Sequence, residues 1–245
     1  MKLIQPYKAV RLFIMTLLII GCQTNAHESK TASDVLSSQE KSIIKIASYA
    51  AQGDLVKLKD ALNEGLENGL TINQAKEILV HLYAYAGFPR SIRGLQTFLD
   101  VLEDREVKGK TNEWGPEASP ISDSRTKYKR GVAVLEELVG RPLDGKPAYQ
   151  EFSPEMDRFL KEHLFADIFE RDVLSYKQRE LVTISTIASL GTLEPMLKSH
   201  YSLSLNVGWQ PEQLLAFAQT IKTTAGKEKS NSAHSVLNEV LDSRE

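Results

Sequence analysis

The sequence predicts an all-α protein built from two copies of one helical unit. Apolar residues recur at helical spacing from about residue 40 onward, and glycine or proline marks the ends of the periodic segments. The chain also matches itself at an offset of 138 to 139 positions, which indicates a duplication. We find no alternation of polar and apolar residues that would indicate a strand.

The first 21 residues have the pattern of an export signal. Lys2, Lys8 and Arg11 give a positive start, and residues 12–20 are apolar. This apolar run is well short of the roughly 20 residues that cross a bilayer. Residues 1–21 are therefore predicted to be a signal peptide.

The signal ends in Gly21-Cys22, the arrangement of a bacterial lipobox. Cleavage before Cys22 would leave an N-terminal cysteine whose acyl chains (palmitate among them) anchor the protein to a membrane. The alternative is an ordinary secretory signal that is cut after Ala26. We favour lipidation because Cys22 is the only cysteine and lies where the motif requires it. Gln23 replaces the aspartate that retains many lipoproteins in the inner membrane, which favours the outer membrane in a host that has one.

Composition excludes several classes of function. Removing residues 1–21 takes away three positive charges, so the formal net charge moves from −2 to −5. A mildly acidic chain with scattered charges does not predict nucleic-acid binding. With no thiol beyond Cys22, disulfides, zinc–thiolate sites and cysteine nucleophiles are excluded, and we expect neither a metal nor a cofactor.

The first half contains four predicted helices after a polar tether at residues 22–38. A leucine stripe ends at Gly69, and Thr71-Ile72-Asn73-Gln74 is a capping box that starts the third helix. Gly87 ends that helix and Pro89 opens the next. The first repeat is thus placed at residues 39–103. The Gly-, Pro- and Ser-rich residues 104–124 are predicted to be a loop.

Residues 125–245 are predicted to hold further N-terminal helices and then the second repeat. One helix ends at Gly140, another starts at Ser153-Pro154, and Ser175-Tyr176-Lys177-Gln178 is a second capping box. The duplication aligns glycine stops and helix landmarks of the two halves: Gly53 with Gly191, Gly69 with Gly208, Gln74 with Gln213, Gly87 with Gly226 and Ser91 with Ser230.

The segments HLYAYAGFP (His81 to Pro89) and RELVT (Arg179 to Thr183) resemble motifs of the carboxymuconolactone decarboxylase family. The run from His81 to Pro89 (HLYAYAGFP) is similar to the family's H-x-x-x-Y-[AC]-G-F-P helix end. The second half resembles the family's later landmarks in three segments: Arg179 to Thr183, Lys198 to His200 and Asn206 to Gly208. The resemblance covers nearly everything from about residue 39 to 242, and it implies the helical fold shared with alkylhydroperoxidase D.

The family includes cofactor-free decarboxylases and thiol peroxidases. The stretch between Glu180 and His200 has no cysteine, so thiol peroxidase chemistry has no nucleophile. The first repeat has Asp60-Ala61 where the family histidine would fall, and the second has lost the YAGFP segment. These complementary losses predict one composite site made by both halves. They also fit decay toward a binding or structural protein.

The resemblance implies His200, His81, Glu180 and Tyr85 as catalytic residues. His81 and Tyr85 are four apart and share a helix face, and a histidine can exchange the proton that decarboxylation needs. A packing role for His81 against a tyrosine is the alternative. Glu180 is also explained by the helix dipole or by an ion pair.

Three arginines are candidates for substrate binding. Arg90 and Arg93 follow the helix start at Pro89, where free backbone N–H groups and guanidinium groups suit a carboxylate. They are alternatively two solvated surface side chains. The third candidate is Arg179, whose position at the start of the Arg179 to Thr183 motif implies this role.

Two functions follow from these observations. The first is a cofactor-free carboxy-lyase or isomerase acting on a small carboxylated metabolite by general acid–base catalysis. The alternative is a non-catalytic binding or scaffold protein at the cell surface. Relatives with one repeat form higher oligomers, so we expect this fused chain to form a homo-oligomer, a trimer.

Overall fold

A computed structural model describes residues 35–244, and all regular structure in that range is helical. The signal peptide and Cys22 lie outside the described residues. The helices are α1 Ser38–Gln52, α2 Leu55–Glu67, α3 Ile72–Val107, α4 Lys127–Val139, α5 Ala148–Phe152, α6 Pro154–Arg158, a π-helix Phe159–Phe169, α7 Tyr176–Leu190, α8 Glu194–Asn206, α9 Pro211–Ala225 and α10 Lys227–Asp242. The predicted all-α class is confirmed.

The duplication is visible in the backbone. Helices α1, α2 and α3 correspond to α7, α8 and the α9–α10 pair, because α3 contains a break at Gly87. Gly87 has φ 79° and ψ 163°, and its counterpart Gly226 has φ 97° and ψ 168°. Only glycine adopts this conformation without strain. The same sharp turn therefore separates the third and fourth helices of each repeat.

Both predicted capping boxes are present. The Thr71 hydroxyl accepts from the Gln74 backbone N–H at 3.2 Å, and the Ser175 hydroxyl accepts from that of Gln178 at 3.2 Å. Each glutamine side chain accepts in return from the N-cap backbone N–H. These bonds satisfy backbone donors that the first turn of a helix leaves unpaired.

One hydrophobic core joins the two repeats. Ile43, Ile44 and Leu62 of the first half share it with Leu181 and Phe217 of the second, and all five are fully buried. Each such side chain stabilises the fold by about 1.5–3 kcal/mol through removal from water. The two halves therefore form one folding unit rather than two separate domains.

A second, smaller core holds the π-helix against α4. Val134 and Leu138 pack on Phe165 and Phe169. Gly131 permits this contact, since a Cβ atom there would lie 1.7 Å from the Lys161 carbonyl oxygen. This packing fixes the position of Phe169, which lines the site described below.

The boundaries of the connecting segments differ from the prediction. Leu36, placed in the tether, is buried in the core, and α3 continues through residue 104 to Val107. The following segment covers the start of α3, where the backbone N–H of Asn73 donates to the Trp114 carbonyl oxygen at 2.9 Å. None of the helices within residues 35–244 is long and apolar enough to cross a membrane.

Candidate active site

Side chains from both halves meet in one buried polar cluster. Helix α3 contributes Glu77, His81 and Tyr85, whose spacing of four places them on one face. Helix α7 contributes Arg179, Glu180 and Thr183, and α8 contributes His200. The contacts that join these groups cross from the first repeat to the second, so the cluster is composite.

An ion-pair network forms the inner end of the cluster. The fully buried Glu77 carboxylate accepts from Arg179 Nη2 at 2.8 Å and from Arg171 Nε at 2.9 Å. Burial alone would raise the pKa of Glu77, but the hydrogen bonds from the two guanidinium groups outweigh it and hold that pKa below its ordinary value. Glu77 is therefore a carboxylate that balances the buried charge of Arg179.

The hydrogen bonds of His81 fix its protonation state. Its Nδ1 lies 3.1 Å from Arg179 Nη1, which can only donate, so Nδ1 accepts. The ring proton is then on Nε2 and is donated to Thr183 Oγ1 at 2.8 Å. Burial, and then the charge of Arg179, lower the pKa of His81 well below its usual value. His81 is thus a neutral, fully buried group with both nitrogens occupied, and its geometry suits positioning rather than proton exchange.

The outer end of the cluster is a histidine–carboxylate pair. His200 Nδ1 lies 2.8 Å from Glu180 Oε2, and the Glu180 side chain is fully buried. The His200 side chain is 14% exposed, so the cluster meets solvent at this ring. Its Nε2 has no hydrogen bond to any residue within 35–244. The pair is therefore oriented so that Nε2 can exchange protons with a bound molecule or with water.

Three buried polar atoms of the cluster make no hydrogen bond of normal geometry to a residue within 35–244: Tyr85 Oη, Glu180 Oε1 and Arg179 Nε. The Thr183 side chain lies near enough to Tyr85 Oη to oppose part of the rise in the pKa of Tyr85. Buried polar groups are nearly always satisfied, so such a group calls for a ligand, a water or a catalytic role. The Tyr85 ring lies 5.6 Å from the His200 ring and 5.5 Å from the His81 ring, measured between centroids. Burial and the Glu180 charge raise the pKa of Tyr85, so its hydroxyl stays protonated and can donate.

An apolar wall borders the cluster. The Phe169 ring packs edge-on against His81, with 5.0 Å between centroids, and Phe165 lies behind it. Polar interactions are stronger in such a water-poor environment than in solution.

Five of the predicted site residues lie together in this cluster, as expected: His81, Tyr85, Arg179, Glu180 and His200. Arg90 and Arg93 lie outside it. Both are exposed, and Arg93 donates to its neighbour Gln96 at 2.7 Å.

Arg90 is placed instead beside the end of α1. A Cβ atom at Gly53, the C-cap of α1, would lie 1.6 Å from Arg90 Nη1. The equivalent residue of the second half, Lys229, lies near Gly191 and donates to the carbonyl oxygen of Ser189 at the end of α7. A cation is favoured at a helix C-terminus. This position favours a structural role for Arg90 that both repeats share, and its carboxylate-binding role stays a prediction.

Arg179 lies in the buried part of the cluster. Its guanidinium is fully buried and bound to Glu77, His81 and the Arg171 carbonyl oxygen, and its Nε has no hydrogen bond within residues 35–244. The substrate-binding role that the resemblance implies for Arg179 stays a prediction, and the structure shows this arginine as part of the buried ion-pair network.

The sequence analysis missed Glu77, Arg171 and Thr183. Glu77 could have been found, because it is an acidic residue four positions before His81 and so lies on the same helix face. Arg171 lies in a turn with no motif around it. In the described range, no group of three or more His, Asp or Glu side chains is placed to hold a metal ion.

The fold and the cluster define a duplicated helical bundle with a buried polar cluster made by both repeats. The sequence profile of the Carboxymuconolactone decarboxylase family matches residues 23–99 and 154–239, more than half of the chain. The chain belongs to this family.

A crystal structure of a protein from Burkholderia xenovorans LB400, described as a gamma-carboxymuconolactone decarboxylase subunit, has a similar fold. The TM-score is 0.50 with 21% sequence identity, over 85% of this chain and 80% of the other. A comparison with curated proteins gave no match.

Proposed function

We propose that the protein is a cofactor-free carboxy-lyase or isomerase that acts on a small carboxylated metabolite. The observation that carries the proposal is the Glu180–His200 pair beside the buried side chain of Tyr85, whose ring lies 5.6 Å from that of His200 between centroids. His200, held by the Glu180 carboxylate, can act as the base, and the neutral Tyr85 hydroxyl can act as the acid. General acid–base catalysis requires these two kinds of group in one site.

In a decarboxylation Tyr85 and His200 would have different roles. The electrons of the breaking C–C bond pass into the carbonyl or double bond conjugated with it as carbon dioxide leaves. Tyr85 donates a hydrogen bond to the oxygen on which negative charge develops. Protonated His200, stabilised by Glu180, gives its proton to the carbon, and water returns a proton to His200. In an isomerisation the same histidine removes a proton and delivers it to another carbon.

The test is a reaction screen in D₂O with unsaturated and lactone-type carboxylic acids, followed by NMR for carbon dioxide loss and deuterium uptake. General acid–base groups contribute about 10²–10⁴-fold in rate, so His200→Ala should lose that factor while remaining folded. His163→Ala is the matched control, because His163 forms an exposed pair with Asp167 at 3.2 Å. A rate in His200→Ala equal to that of the wild type would refute the proposal.

A non-catalytic binding or scaffold role is the second candidate. Its support is that Glu77, Arg179 and His81 are paired and buried, as in a structural network. This role would stand if no acid in the screen reacts and His200→Ala instead lowers the melting temperature strongly.

We further propose that the mature chain begins at an acylated Cys22 and is anchored by it, in the outer membrane where the host has one. Mass spectrometry of the native protein should find that modification, whereas an unmodified N-terminus at His27 would contradict it.

We also propose assembly into a trimer. The support is the duplication, because relatives with one repeat form higher oligomers and a fused chain needs half as many subunits. Phe152, Leu99 and Phe88 are 92%, 67% and 62% exposed and are candidates for burial between subunits. Light scattering should give three times the chain mass, and a monodisperse monomer would contradict it.

A further inference from the structure

A chain of hydrogen bonds leads from the inner end of the cluster toward Tyr85. Its first donor is Arg179, whose guanidinium can only donate and whose Nη1 lies 3.1 Å from His81 Nδ1. The neutral ring of His81 therefore carries its proton on Nε2 and donates it to Thr183 Oγ1 at 2.8 Å. The direction of donation is thus fixed from the arginine as far as the threonine.

The hydroxyl proton of Thr183 is then left for another partner, because a threonine hydroxyl accepts two hydrogen bonds but donates only one. Ser185 and Thr186, on the same helix, give that proton to the carbonyl oxygen four residues earlier, at 2.6 and 2.8 Å. Thr183 makes no such bond within residues 35–244, and it is fully buried. Since buried polar groups are nearly always satisfied, its proton belongs to a neighbouring side chain.

The Tyr85 hydroxyl lies near Thr183. Tyr85 follows His81 by four positions on one helix face, and the two rings lie 5.5 Å apart between centroids. Burial and the Glu180 charge raise the pKa of Tyr85, and the Thr183 side chain opposes part of this rise, as a donor beside a phenol oxygen does. Thr183 has a proton to give, and Tyr85 Oη has lone pairs that can accept it.

We propose that Thr183 is a positioning residue, which donates its proton to Tyr85 Oη and so turns the Tyr85 proton toward a molecule bound beside His200. The proposal rests on the acid role proposed for Tyr85. Each group of the chain accepts one hydrogen bond and donates the next, and Tyr85 gives the last one to the bound molecule. Hydrogen bonds in such a chain polarise one another, so Tyr85 becomes a better donor.

The direction of the chain also limits what can bind at Tyr85. Since Tyr85 Oη accepts from Thr183 and donates its own proton outward, the atom bound there must be an acceptor. The carbonyl oxygen of an unsaturated or lactone-type acid meets this condition, whereas a protonated amine, which can only donate, does not. The substrate therefore presents a carbonyl-type oxygen to Tyr85.

The first test needs no substrate and uses NMR of the full-length folded protein. With ¹⁵N-labelled histidine rings, the signals of His81, assigned by their loss in His81→Gln, should show the proton on Nε2. With ¹³Cζ-labelled tyrosine, the Tyr85 signal, assigned by its loss in Tyr85→Phe, should shift in Thr183→Val. Thr183→Ser keeps the hydroxyl and should return that signal toward its wild-type position.

Thr186→Val is the matched control for these spectra. It also removes a fully buried hydroxyl of α7, but the proton of that hydroxyl is held by the Val182 carbonyl oxygen at 2.8 Å. The Tyr85 signal should therefore stay in place in this variant.

The second test measures turnover of the most reactive acid from the D₂O screen. A hydrogen bond between neutral groups corresponds to a factor of about three to ten, so Thr183→Val should lower kcat by about that factor and change KM by less than about twofold. Thr183→Ser should keep kcat within about twofold of the wild type, because it restores the donor. Thr186→Val should keep kcat as well.

The proposal is overturned if His81 carries its proton on Nδ1, if the Tyr85 signal stays in place in Thr183→Val, or if Thr183→Val lowers kcat no more than Thr186→Val does. Should no acid react at all, the proposed function fails, while the two NMR signals still decide whether Thr183 donates to Tyr85. Should Thr183→Val fail to fold, Thr183→Ala takes its place, since it also removes the hydroxyl.

Discussion

Neutralising Glu77 should destabilise the protein strongly, although this residue is remote from the exposed surface. Glu77→Gln keeps the shape of the side chain but removes the charge that balances Arg179, whose guanidinium is fully buried. After the change the amide oxygen at position 77 can still accept a hydrogen bond from Arg179, as His81 Nδ1 and the Arg171 carbonyl oxygen do, but none of these partners is charged. The variant therefore leaves a buried positive charge without its counter-ion.

The magnitude follows from that uncompensated charge. Breaking a buried ion pair by removing one partner costs about 3–5 kcal/mol of unfolding free energy. For a domain of this size each kcal/mol shifts the melting temperature by about 2–4 °C, so we expect a decrease of roughly 6–20 °C.

Thermal unfolding followed by circular dichroism measures this effect. Glu239→Gln is the control, because it breaks the exposed pair with Lys198 and should cost no more than about 1 kcal/mol. If both variants melt at the same temperature, the Glu77 network does not stabilise the fold and our reasoning about the inner cluster is wrong.

Three further predictions concern the rest of the structure. Folding lowers the pKa of His81, so the neutral ring contributes stability that is complete above its ordinary pKa of 6.5 and is lost as the pH falls below that value. His81→Gln should therefore weaken the pH dependence of the melting temperature between about pH 7.5 and about pH 5.5, roughly one unit either side of 6.5. Gly131→Ala should lower stability by about 1–3 kcal/mol or displace the π-helix, because its methyl group would overlap the Lys161 carbonyl, and an unchanged melting temperature would contradict that packing. Arg90→Ala should lower the melting temperature without lowering turnover, and a selective loss of activity would restore the carboxylate-binding role expected from the sequence.

The sequence predicted what depends on local signals. Capping residues and glycine turns act over a few positions, so Thr71, Ser175, Gly87 and Gly226 could be assigned without a structure. The convergence of the two halves was also predictable, because each repeat had lost the motif that the other kept.

The parts that the sequence did not reveal depend on contacts between distant segments. Arg179 and Arg90 are both arginines beside helix ends, and no local pattern distinguishes the one that is buried from the one that is exposed. The distinction arises because Glu77 on another helix provides a counter-ion for Arg179, whereas Arg90 reaches the end of α1. The π-helix likewise has no separate signal in its apolar sequence.

The central claim is that side chains of both repeats form one proton-transfer site. A double-mutant cycle between Tyr85 of the first half and His200 of the second tests it most directly, with the most reactive acid from the D₂O screen as substrate. Groups that act as a unit give non-additive losses, so Tyr85→Phe combined with His200→Ala should be about as slow as His200→Ala alone. Losses that multiply, or a wild-type rate in either single variant, would contradict a composite site.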